Sequence, residues 1–176
     1  MSRSLLFWIA GCVLGTALGV GAQSRPPMPF IDKGACPFEC CTYREWTVDK
    51  PTLVHSAMRD GAPVAFRLRR GERVRGLTGT VITERAGEVK ILKRAKIGDR
   101  TVNAGDTVYL LTYAGEGFHK VWLKGKVVEG DVTDETKFRR VRSPKSVWWV
   151  KIRNGGGKIG WSREPDNFGN KDQCGR

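Results

Sequence analysis

A chain of 176 residues has room for one domain, or for two very small ones once a leader is set aside. Within that length no separate catalytic domain is expected beside a binding domain. The formal net charge is +13, from 31 Lys and Arg against 18 Asp and Glu, which attracts polyanions through steering and counterion release or simply solvates the surface. The excess is local: residues 67–163 hold 23 basic and 10 acidic side chains, while residues 23–66 balance at five each.

The N-terminus reads as a targeting segment. Arg3 supplies a short positive region, residues 5–20 are apolar and small, and Val20-Gly21-Ala22 fits a small-residue cleavage site. The apolar run falls short of the roughly 20 residues a spanning helix needs, so a signal peptide over residues 1–22, cleaved after Ala22, is expected. Ile9-Ala10-Gly11-Cys12 also resembles a lipobox, which would anchor a lipoprotein through Cys12. Residues 23–45 follow as a proline-rich tether and a cysteine-rich segment. Phe38, Tyr43 and Trp46 near the cysteines suggest a satellite core around a disulfide.

Cys36, Cys40, Cys41 and Cys174 remain after Cys12. An even count in an exported chain points to disulfides, with three possible pairings. A bond between the neighbours Cys40 and Cys41 would be strained, which favours a bond from Cys40 or Cys41 to Cys174. Closing so long a loop contributes on the order of 4–5 kcal/mol in the chain-entropy model. A zinc site on Cys36-x-x-x-Cys40-Cys41 lacks a second cysteine–histidine pair at ligand spacing, and no cofactor is expected.

Beyond residue 46 the apolar residues recur with period two, in short runs broken by glycine turns, which predicts an all-β fold with small barrels. Gly71-Glu72-Arg73-Val74 and Gly105-Asp106-Thr107-Val108 open two similar units 34 residues apart. Strands are expected at residues 64–68, 89–92, 96–102 and 118–123. Residues 129–145 read as an exposed, mobile polar loop. Trp148-Trp149-Val150-Lys151-Ile152-Arg153, then Asn154-Gly155-Gly156-Gly157, then Lys158-Ile159-Gly160-Trp161 read as a strand, a turn and a return strand.

Gly105-Asp106-Thr107-Val108, Trp149-Val150-Lys151-Ile152 and Gly157-Lys158-Ile159-Gly160-Trp161 together resemble the bacterial SH3-like domain family, clearly over residues 104–162 and partially over 46–97. The resemblance implies two small SH3-like barrels in tandem, at 46–103 and 104–176, after the signal peptide and the cysteine-pinned segment. It also implies a non-enzymatic role outside the cytoplasm, in binding peptides, wall material or partner proteins.

Strand alternation puts Trp148, Val150 and Ile152 on one face, the apolar one, and Trp149, Lys151 and Arg153 on the other. Trp122 lies out of phase with Val121 and Leu123. Indoles beside cations on an outer face suit stacking on a ring or proline near an acidic group; the alternative is that they cover a seam between units. The candidate ligand-binding residues are Trp149, Lys151, Arg153, Tyr113, Trp122 and Trp161, with Tyr109 and Phe118 nearby. His55 and His119 read as surface residues. No Gly-x-Ser-x-Gly, His-Glu-x-x-His or phosphate loop is present. The expected function is therefore a secreted or periplasmic binding module for a peptidic or anionic cell-envelope ligand. The alternatives are a general polyanion binder (nucleic acid, lipopolysaccharide or acidic glycan) and a structural adaptor for another envelope protein.

Overall fold

Period-two alternation, rich in Val, Ile, Thr and aromatic residues, folds the chain as strands almost throughout. The computed structural model describes residues 25–174. The expected signal peptide, its cleavage site and Cys12 lie outside the described residues. In chain order the strands are β1 Phe30–Lys33, β2 Glu45–Val48, β3 Thr52–His55, β4 Val64–Leu68, β5 Arg73–Arg85, β6 Glu88–Ile91, β7 Ala95–Ile97 and β8 Arg100–Val102. They continue with β9 Thr107–Gly115, β10 Phe118–Leu123, β11 Lys126–Asp131, β12 Phe138–Arg142, β13 Lys145–Asn154, β14 Ile159–Ser162 and β15 Phe168–Gly169. A single 3₁₀ turn, Pro165–Asn167, precedes β15. The all-β expectation is borne out.

The pairing is less local than two tandem units would require. The larger sheet runs β15-β2-β5-β13-β14-β3-β4, with β1 also on β5, and curls into a half-barrel. A second sheet runs β11-β10-β9-β6-β12, and β7 pairs with β8. The cores follow the same division. Trp46, Val48, Val54, Leu68, Val74, Val150, Ile152 and Phe168 form one. Val89, Ile91, Ile97, Val102, Val108, Leu110, Val121, Leu123, Val132 and Phe138 form the other. Packing therefore does not divide at residues 103/104. Strands β6–β12 form a unit inserted in sequence between β5 and β13, and segments from both ends of the described chain build the half-barrel. The reason is the ladder between β5 and β13, which matches Val74 to Asn154 at one end and Arg85 to Lys145 at the other.

Two segments read as linkers, and one residue read as part of a satellite cluster, contribute to this packing. In the proline-rich segment, residues 30–33 pair with Thr80–Thr83 of β5 as strand β1. Asp32 of β1 is buried, and its Oδ1 accepts from Lys120 Nζ on β10 at 2.7 Å. In residues 129–145, expected as a mobile loop, β12 pairs with β6 and both Val132 and Phe138 enter the inserted core. Trp46, expected in a satellite cluster, is 0% exposed at the centre of the half-barrel. Its indole lies flat on β5, where a Cβ on Gly76 would stand 2.7 Å from Cε2. Any side chain there would displace the ring.

Candidate ligand face on β13 and β14

Cys40 bonds to Cys174, as one of the two favoured pairings had it, and Cys36 bonds to Cys41. These bonds tie the start of the half-barrel to its last described residue. Gln173 N donates to Cys40 O at 3.0 Å, and Thr42 N donates to Lys171 O at 2.8 Å. Glu39 lies beside Cys40 and Cys174 as a grouping of possible metal ligands, but both sulfurs are spent in the disulfide.

Above this closure sits an aromatic cluster. Trp148 meets Phe38, Tyr43 and Trp46 edge-on, with ring centroids 5.8–6.5 Å apart. Trp148 Nε1 donates to Tyr43 Oη at 3.3 Å, and Tyr43 Oη donates to Ala35 O. Burial pushes the Tyr43 phenol up to about 12, against the opposing bond from Trp148. Glycine at position 79 is what admits this pair: a Cβ there would meet both Tyr43 Oη and Trp148 Nε1.

The opposite side of β13 carries Trp149, Lys151 and Arg153, and strand register sets their neighbours. Lys151 stands opposite Trp161 of β14, with its Nζ 5.6 Å from the ring centroid. Arg153 stands opposite Ile159 on one side and Arg75 of β5 on the other. Continuing the register puts Arg163 beside Trp149, with the guanidinium carbon 6.0 Å from the indole centroid. Two indoles and two cations thus alternate like the squares of a chequerboard on neighbouring strands. Such pairs each contribute about 0.5–1 kcal/mol at exposed sites and more when desolvated.

The two indoles differ in access. Trp161 is half-buried. Trp149, expected on the solvent side, is only 4% exposed. Arg163 covers it and is held by an ion pair to Asp60 in the β3–β4 connection. Met58 and Ile82 border the same small hollow. Trp149 thus stands on the outer side of β13 but beneath Arg163, which closes its indole off from solvent.

Lys151, Arg153 and Trp161 therefore share one face, whereas Tyr113 and Trp122 lie on the inserted unit. Tyr113 packs edge-on against His119 at 5.1 Å. Trp122 is half-buried, opposite Tyr109 and Val127 in the ladder. His119, read as a surface residue, is buried, with Nδ1 3.0 Å from Gly117 O. Burial holds its imidazole below the ordinary 6.5, and Arg140 acts in the same direction, while the Gly117 carbonyl and Asp131 oppose them.

The face also includes residues that hairpin periodicity did not reveal. His55 stands opposite Trp161, Leu53 is exposed opposite Arg67, and Arg73 and Arg75 project from β5. The alternation Arg73-Val74-Arg75-Gly76 marks the two arginines as outward-facing, but nothing local indicates that β13 lies beside them.

Gly71-Glu72-Arg73-Val74, rather than the matching segment at 105–108, leads into the sheet that contains Trp149-Val150-Lys151-Ile152 and Gly157-Lys158-Ile159-Gly160-Trp161. Residues 107–108 belong to β9 of the other sheet. Among the described residues, no helix is long and apolar enough to cross a membrane. In comparisons with known proteins, the chain matches no family model, no curated protein and no solved structure.

Proposed function

We propose that this protein is a non-catalytic, SH3-like binding module acting outside the cytoplasm. It takes a peptidic or anionic cell-envelope ligand on the outer face of β13 and β14. The observation that carries the reading is the contiguous row in which half-buried Lys151 lies over half-buried Trp161 and exposed Arg153 follows on the same strand. A half-buried indole offers a ring or a proline a flat apolar surface, and the cations beside it attract an acidic group. Of the segments that carry the resemblance to the SH3-like family, Trp149–Ile152 and Gly157–Trp161 lie together in the half-barrel, and the similar Gly71–Val74 leads into the same sheet, whereas Gly105–Val108 leads into the other. The two disulfides suit an oxidising compartment, in keeping with secretion or with a lipoprotein anchor through Cys12.

The test is capture of fractionated envelope material by the purified protein and by Trp161→Ala, each at low and high salt. Capture that survives high salt and is lost in Trp161→Ala supports a shaped face. Capture that collapses with salt and ignores Trp161 supports general polyanion binding instead. That second reading draws on the 23 basic side chains of residues 67–163.

A further inference from the structure

We propose that the end of this face near the β13–β14 turn is a subsite for a tetrahedral oxyanion of the phosphate or sulfate ester kind, gripped by Arg75 and Arg153. The inference rests on the binding-face reading and assigns a chemical class to one group of the ligand.

Arg75 and Arg153 are direct partners across the β5–β13 ladder, and both are exposed. Such positions hold the two Cβ atoms about 5 Å apart, and like charges there are destabilising. The nearest acid in the ladder is Glu45, opposite Arg75 on its other side. Its carboxylate is already engaged by Arg73 at 2.9 Å. Among the described residues no ion pair reaches Arg75 or Arg153. Two arginines are thus set side by side at a cost, with no ion pair to either among the described residues.

A hollow of about 450 Å³ opens beside them, lined by Arg73, Arg75, Arg153, Asn154, Gly155 and Gly157. Glu45 also borders it, already paired with Arg73. The turn above is fixed by Gly157 N donating to Asn154 O at 3.0 Å and Lys158 N donating to Asn154 Oδ1 at 2.9 Å. The amides of Gly155 and Gly156 have no partner among the described residues, and a Cβ on Gly155 would meet nothing within 4 Å. Free backbone N–H groups in a turn are donors for an anion, and Gly155 borders the hollow. Arginine forks match the paired oxygens of a phosphate or sulfate bidentately, and a tetrahedral group has a further oxygen pair for the second fork.

The test titrates inorganic phosphate and sulfate, with chloride at matched ionic strength, into the protein, Arg75→Gln, Arg153→Gln and the remote control Lys93→Gln. Amide spectra and thermal unfolding are both recorded. Phosphate and sulfate are expected to move the Gly155 and Gly156 amides and raise the melting temperature where chloride does not. Each arginine variant should lose affinity ~10-fold or more, while Lys93→Gln binds as the unmodified protein does. In chloride alone Arg75→Gln should melt no lower than the parent, because the substitution removes a like-charge neighbour. A response to phosphate no larger than to chloride, or arginine variants that bind normally, overturns the subsite. If the subsite fails while Trp161-dependent capture of envelope material persists, the binding-face reading stands without it; if that capture also fails, both fall.

Discussion

Trp149 and Trp161 show how far one side chain's role depends on what crosses over it. Both stand on the outer side of their strands, each beneath a cation, yet Asp60 ties Arg163 over the first, while Lys151 over the second has no ion pair among the described residues. Trp149→Ala empties a closed site and is expected to lower stability by about 3–5 kcal/mol, the range for truncating a buried aromatic, read as a shift in denaturant midpoint. Trp161→Ala should leave the midpoint within about 1 kcal/mol and act on ligand capture. A Trp149→Ala protein as stable as its parent would return that indole to the ligand face. His119 supplies a second residue-level expectation. Its folded-state imidazole titrates below 6.5 because it is buried, so the unfolded chain binds the proton first as pH falls. The stability tied to the neutral ring is full above 6.5 and is lost as pH drops through the folded value. His119→Gln should flatten unfolding free energy against pH over that window, and an unchanged slope would contradict the assignment.

At the scale of elements, β1 is the least obvious piece and a decisive one. It reads as tether because prolines precede it, yet it pairs with β5 and sends Asp32 to Lys120 on the inserted unit. Asp32 Oδ2 has no further partner, so the carboxylate depends on that lysine. Lys120→Met would leave a buried charge uncompensated and should cost about 3–5 kcal/mol, whereas Asp32→Asn combined with Lys120→Met should recover much of the loss. Equal losses in the single and double variants would show that the pair does not join the units. Elements formed by near neighbours in sequence were readable from alternation and turn chemistry: β4, β10, and the β13–β14 hairpin with its glycine turn. β12 was not, because Phe138 is isolated among charges and becomes core only when β6 arrives beside it. The neighbourhood of Arg75 was hidden for the same reason, since pairing between β5 and β13 spans the whole inserted unit.

At the scale of the molecule, two hydrophobic cores share one polypeptide, and the segments that build one flank the segment that builds the other in chain order. The Cys40–Cys174 bond secures that closure across 134 residues of chain. Alternation and charge disclosed the class of fold and the cationic character of its body, but the same motif pattern fits a tandem and a nested arrangement equally, and only long-range pairing distinguishes them. The nested arrangement gathers Arg73, Arg75, Lys151, Arg153 and Trp161 on one sheet and leaves Tyr113 and Trp122 on the other. The most direct measurement is amide and indole chemical-shift mapping of the isotope-labelled protein as an envelope fraction that it captures is added. The account predicts shifts concentrated on β13, β14 and the adjoining end of β5, with the Trp161 indole among the largest. Shifts centred on β9–β11 and the Trp122 indole, with Trp161 unmoved, would contradict it.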